Sequence, residues 1–215
     1  KAECELVAQD WDGIIPALQN GKYDAIIAGM SITAERMEVI NFSQGYANEP
    51  ASFSVLKSSK LAALKAGGKV NMDALDGTST ALLDSLKKTL KGTTVGVQGA
   101  TTHENFVKQV LGDSVTMKSY DTQENLELDL SIGRIDAALS DQGSMEKFME
   151  SDKGKEIAFI GPGLGGGSFG GGVGVGLRKA DTDLLKMFNK AIDEARADGS
   201  LAKHFSKWFG KDISM

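Results

Sequence analysis

Residues 10–43 read DWDGIIPALQNGKYDAIIAGMSITAERMEVINFS, and the wiring of the fold is legible in this stretch. Ile14 and Leu18 stand at helical spacing, Gly21 follows where a helix would end, and Lys22, Tyr23 and Asp24 lead into the apolar run Ala25–Ile27. A helix closed by glycine and followed by a buried strand is the unit from which α/β sheets are assembled. The same order recurs at residues 123–143, QENLELDLSIGRIDAALSDQG, where Leu126, Leu130, Gly133, Arg134 and Asp136 match Ile14, Leu18, Gly21, Lys22 and Asp24. Two copies so far apart predict two lobes of similar wiring. Chance recurrence of a common α/β pattern is the alternative.

Between the copies, Thr93–Gln98 (TTVGVQ) predicts a strand, and the polar turn GATTHE then leads to a segment with Phe106, Val107, Val110 and Leu111 at helical spacing. Strand, turn, helix is the order of a parallel sheet. Residues 57–91 are rich in Lys, Ala, Leu and Ser with no strand signal, which predicts an inserted, exposed helical excursion. In the tail, Leu184, Leu185, Phe188 and Ile192 share a helix face, Gly199 stops that helix, and a shorter one carries Phe205, Trp208 and Phe209, expected to pack on a lobe. Glycine makes up 26 of 215 residues, and ten of them fall in GPGLGGGSFGGGVGVG, residues 161–176. That density predicts a loop of low stiffness entering a strand, suited to a crossing between two bodies.

Composition excludes several functions. With 24 basic and 29 acidic residues the net charge is −5, which argues against nucleic acid as a partner. One cysteine, Cys4, and two histidines, His103 and His204, cannot close a soft-ligand metal site, so neither a metal nor a cofactor is expected. Cys4 reads either as a buried thiol or as half of a disulfide. No apolar run reaches the roughly 18 residues that a membrane-spanning helix needs.

Three turns at strand ends, where open α/β sheets place ligands, supply the candidate chemistry. In AGMSITAER (28–36), Thr33 can cap a helix, Ser31 offers a hydroxyl and Arg36 a fork of donors matched to a carboxylate. In ATTHE (100–104), Thr101 and Glu104 spell a capping box, which would turn the amides of Thr102 and His103 toward an anion. Asp141 closes the strand Asp136–Leu139 and can accept from an ammonium. Each alone also fits a capped helix or an ordinary loop. Together they describe an α-amino-acid site in a cleft, with Arg36 and two helix N-termini on the carboxylate, and Asp141 and Ser31 on the ammonium.

The glycine run also contains a formal dinucleotide fingerprint (Gly161, Gly163, Gly166) and a nucleophile-elbow pattern (Gly166, Ser168, Gly170). Both need a helix immediately downstream, whereas Val173, Val175 and Leu177 alternate as in a strand. A serine hydrolase built on Ser168, His204 and Asp181 or Asp183 is the enzyme alternative.

With these elements in hand, DWDGIIPALQNGKYDAIIAGMSITAERMEVINFS (10–43), VGVQGATTHENF (95–106), GRIDAALSDQ (133–142) and GVGVGLRKADTDL (172–184) resemble the type II periplasmic amino-acid-binding proteins of ABC importers, in particular the lysine/arginine/ornithine, histidine and opine group. The resemblance spans nearly the whole chain outside the insertion. It implies an α/β fold of two lobes, 1–48 with 174–215 and 52–171, joined by two crossings, with the helical insertion at about 57–91. It further implies that Arg36 takes the ligand carboxylate with Ser31 and the Thr102 amide. Asp141 takes the α-ammonium with Ser31 and the Gly29 carbonyl, Trp11 lies against the ligand side chain, and Met30, Gly29, Thr101 and His103 shape its far end. Gly29 stands where relatives that bind basic amino acids often carry Ser, and Asp141 favours a free primary amine over the substituted amine of an opine. The implied role is periplasmic capture and delivery to a membrane permease by a protein that is monomeric at full length; a receptor ligand-binding module shares the fold. The family's opening strand, ligand loop and helix have no counterpart upstream of Lys1, so the first lobe is expected to be incomplete and residues 1–215 to bind ligand poorly alone, with an apolar sheet edge exposed.

Overall fold

The strand Ala51–Leu56 (β2) is buried along its first five residues, and the six-stranded sheet that organises the molecule grows from it on both sides. The computed structural model describes residues 3–215. The earlier elements are helices α1 (Ile14–Gln19) and α2 (Ala34–Val39) and strand β1 (Asn41–Phe42). After β2 come β3 (Lys69–Asn71), α3 (Gly77–Leu90), β4 (Thr94–Gln98), α4 (Thr102–Phe106), β5 (Thr116–Tyr120), α5 (Gln123–Ser131), β6 (Ala137–Asp141), α6 (Gln142–Met149), β7 (Ile157–Gly165), β8 (Gly176–Leu177), α7 (Thr182–Ala197) and α8 (Ser200–Phe209). The sheet order is β3-β7-β2-β6-β4-β5. Strand β4 runs parallel to both β5 and β6, as the strand–turn–helix reading requires, whereas β2 is antiparallel to β6 and β7.

Each face of this sheet is covered, giving three layers. Phe53, Val55, Val95, Val97 and Ile160 pack with Leu83, Leu86 and Leu90 of α3 and with Phe106. A separate cluster joins Tyr120, Leu126, Leu130, Ile135 and Met145. Residues 57–91 are therefore not an exposed helical excursion: they contribute strand β3, and Leu61, Val70, Leu83, Leu86 and Leu90 are buried. Their lysines and serines mark the outer side of an amphipathic helix, and β3 has only three residues, too few to display alternation.

The smaller grouping contains Ile14, Leu18, Ile26, Met30 and Ile40, with the antiparallel pair β1–β8 beside it. The expected strand at Ala25–Ile27 is reduced to a bridge between Ile26 and Gly176, and Ile27 is 63% exposed, because no ladder forms on its other edge among the described residues. The repeated motif is wired alike in both places. Gly21 and Gly133 end their helices at φ of 75° and 71°, a conformation glycine adopts without steric cost, and the aspartate three residues on is tied back to the body. Asp24 pairs with Arg178 at 2.7 Å, and Asp136 accepts the Thr94 amide at 2.8 Å.

The glycine run is not a loose loop. Its first part is β7 itself, and its second part is laced by Ile32 N–H to Gly172 O (2.8 Å), Gly171 N–H to Ile32 O (3.1 Å) and Val173 N–H to Ala47 O (2.8 Å). A Cβ at Gly170 would lie 2.2 Å from the Ile32 carbonyl oxygen, so close backbone approach is what excludes side chains here. In the tail, α7 and α8 form as expected and Phe205 stacks on Tyr46 with centroids 6.4 Å apart, but Trp208 stays 69% exposed. Cys4 is an exposed free thiol, not a buried one.

Candidate functional site

Arg36 is positioned by the start of α2, where the Thr33 hydroxyl accepts the Arg36 amide at 3.2 Å and caps the helix. Its Nη1 donates to the Ser31 carbonyl at 3.0 Å, and its Nη2 reaches across 64 residues of sequence to the Ala100 carbonyl at 3.3 Å. Trp11 Nε1 donates to the same carbonyl at 3.0 Å, and the guanidinium lies 5.4 Å from the Trp11 ring centroid. Two side chains of the smaller grouping thus converge on one oxygen beside the sheet. Ala100 itself has φ of 56° and is the one non-glycine residue with positive φ among the described residues. Burial lowers the Arg36 pKa, the charges of Glu35 and Asp141 oppose that shift, and a guanidinium remains a cation throughout.

The opposing turn is held by α4. Thr101 Oγ1 accepts the Glu104 amide at 3.3 Å and donates to Gln98 O at 2.6 Å, while the Glu104 carboxylate accepts the Ala100 amide at 3.0 Å. The capping box is therefore reciprocal but displaced by one residue. Asp141 stands at the N-cap of α6 without using its side chain as a cap, which leaves the carboxylate, half exposed, free for other partners. His103 Nε2 lies 3.3 Å from Asp141 Oδ1.

A cavity of about 330 Å³ opens between these elements, within the range of small-ligand sites. Of the nine residues singled out in the sequence, Gly29, Ser31, Thr102 and Asp141 line it. Arg36 and Trp11 do not line it: Arg36 is joined to the wall through the Ser31 carbonyl, and Trp11 donates to Ala100, which lies outside the lining. Thr101 and His103 are buried in the turn behind it. Met30 does not face it: the side chain is 0% exposed and packs among Ile14, Leu18, Ile26 and Ile40. Gly29 turns the chain at a φ of 64°, and beyond it Ser31 faces the cavity while Met30 enters the core.

Sequence reading missed Tyr46, Glu49, Phe169 and Phe209 in the walls. Burial raises the Glu49 pKa against the opposing influence of Lys211 and the Gly143 amide, and Lys211 bridges Glu49 at 3.1 Å and Glu146 at 2.8 Å. Adjacency to Pro50 was the sole local signal for Glu49, and it does not mark a cavity residue. Ser168, the hydrolase candidate, donates to Gln109 Oε1 at 2.8 Å. A separate depression of about 500 Å³ lies over Tyr120, Asn125, Asp129 and Arg134. Asp129 is already satisfied there by Lys118 (2.8 Å), the Tyr120 hydroxyl (2.9 Å) and Arg134 (3.1 Å), which hold its carboxyl at about 2.

Comparison with known proteins identifies the family. The octopine-binding periplasmic protein of Rhizobium meliloti is 36% identical, over 100% of this chain and 79% of that protein. The L-arginine-binding protein of Pseudomonas aeruginosa is 35% identical, over 99% of this chain and 75% of that one. Among solved structures, a periplasmic His/Glu/Gln/Arg/opine family-binding protein from Silicibacter pomeroyi in complex with lysine is similar with a TM-score of 0.72 and 32% identity, covering 99% of this chain and 82% of that chain. The model of the bacterial extracellular solute-binding proteins, family 3, matches residues 1–211, and the chain belongs to that family.

Proposed function

We propose that this protein binds a basic amino acid or an opine in the cavity between its two lobes, residues 1–48 with 174–215 and residues 52–171, and delivers it to an ABC-type permease. The observation that carries the reading is the pairing of opposite charges on one cleft. Arg36, anchored through Ser31, serves the ligand carboxylate, and Asp141, with an uncommitted carboxylate, serves the α-ammonium. Thr102 and Ser31 add donors at the carboxylate end, the Gly29 carbonyl adds an acceptor at the ammonium end, and Trp11 bounds the side chain. Met30 supports the site only by packing beneath it. The names of the relatives favour a cationic or conjugated side chain.

The chain performs no chemistry in this reading. It acts in the periplasm, in keeping with the named relatives and with the lack of any helix long and apolar enough to cross a membrane among the described residues. Because the chain crosses twice between the lobes, ligand contacts from both sides favour the closed arrangement.

A thermal-shift series on the full-length gene product with arginine, ornithine, lysine, histidine, glutamine and octopine tests this. A ligand present at 100 times its Kd adds about 2.7 kcal/mol, which raises Tm by about 5–10 °C for a chain of this size. Arg36→Ala is expected to remove the shift for every member of the series. An unchanged shift in that variant would refute the assigned pose.

A further inference from the structure

We infer that His103 is a positioning residue for Asp141: it presents Nε2–H to Oδ1 and fixes the carboxylate at the cavity wall. The inference rests on the proposed binding of an α-ammonium at Asp141 and goes beyond it by naming what orients that acid.

His103 is buried, its ring packs 6.0 Å from that of Phe169, and Nε2 is closed off from solvent with no aligned hydrogen bond. The nearest acceptor is Asp141 Oδ1 at 3.3 Å, close enough that a small rotation of the exposed carboxylate completes the bond. An unpaired ring nitrogen at this depth is costly, so the pairing is where the free energy lies.

The other charged groups nearby are committed elsewhere. Glu104, on the same helix, accepts from Ala100 and Ser119 and pairs with Lys108 at 3.1 Å. Arg36, from α2, donates to Ser31 and Ala100. Glu49, between the crossings, is held by Lys211. Strand β4 and the turn Gly167–Phe169, which pack against α4, bring no titratable side chain. Among the described residues no lysine or arginine pairs with Asp141, so His103 is its one close partner of cationic capacity.

An imidazole donating through Nε2 occupies Oδ1 and leaves Oδ2 for the ligand ammonium, so the ring orients the acid without blocking its second oxygen.

Two readouts test this on the full-length protein. In the first, ligand-free, long-range ¹H–¹⁵N spectra report the His103 tautomer, with exposed His204 as internal reference. The Nε2–H form is expected, and Asp141→Asn should perturb the His103 ring and leave His204 unchanged. In the second, calorimetric Kd values for L-arginine are measured for the parent, His103→Gln and His103→Phe. His103→Gln, which keeps an N–H donor, should lose clearly less affinity than His103→Phe, which keeps the bulk of the ring and has no donor. An Nδ1–H tautomer indifferent to Asp141→Asn, or equal losses in His103→Gln and His103→Phe, overturns the inference. If the parent binds neither L-arginine nor octopine, the function reading fails, and the ligand-free spectra still decide the His103–Asp141 pairing.

Discussion

Ala100 concentrates much of what single residues do in this molecule. Its carbonyl accepts from both Trp11 and Arg36, and its backbone is left-handed, a conformation that costs an alanine about 1–2 kcal/mol. Ala100→Gly keeps the carbonyl and relieves the strain, against a glycine entropy cost of about 0.5–1 kcal/mol. A net gain of up to about 1 kcal/mol is expected in urea unfolding. A loss would mean that Ala100 is not strained. The same residue shows how much of the site could be read from sequence. Ser31 and Asp141, which line the cavity, were legible because each follows a strand-like run and carries a polar group, whereas Arg36, inside α2, meets the wall only through the Ser31 carbonyl. The convergence of Trp11 and Arg36 on Ala100 was not, since a backbone carbonyl carries no sequence signal. Met30 was misread because Gly29 and Ser31 on either side line the cavity while its own side chain packs among Ile14, Leu18, Ile26 and Ile40.

Helix α5 illustrates the scale of elements. Thr122 caps it, Leu126 and Leu130 bury its inner face, and Glu127 is carried inward with them. Burial raises the Glu127 pKa; the hydrogen bond from Gln123 Nε2 at 3.0 Å opposes the shift and Glu124 adds to it. A carboxyl whose folded pKa lies above its unfolded one contributes its stability below the unfolded value and loses it as pH rises through the folded one. Glu127→Gln should therefore stabilise the protein by about 0.5–1 kcal/mol at neutral pH and by less near pH 4, read from denaturant midpoints at the two values. Equal effects at both would show that desolvation of the charge is not the cause. Elements with long apolar periods, such as α5, α7 and β4, were legible; β3 and the sheet-forming half of the glycine run were not. Three residues cannot show alternation, and a strand written in glycine and proline lacks the side chains that signal one.

At the scale of the molecule, a six-stranded sheet layered on both faces and a smaller grouping of helices meet along a glycine-rich seam, with the cavity beside it. The internal repeat foretold two similar units. Their unequal strand content was not visible, because a strand needs a partner that local sequence does not name. Ile27 is 63% exposed on the smaller grouping, where apolar surface lies open. In the proposed function the seam matters because Arg36 on one side and Asp141 on the other address one ligand.

That joint grip is tested most directly by a thermodynamic cycle on the full-length protein. It pairs the tightest amino acid of the series with its decarboxylated counterpart, arginine with agmatine for example, on the parent and on Arg36→Ala. The account predicts that removing the ligand carboxylate costs the parent at least about 100-fold in Kd, and that Arg36→Ala binds the two compounds with similarly weak affinity. Equal penalties for decarboxylation in both proteins would place the carboxylate away from Arg36 and contradict the account.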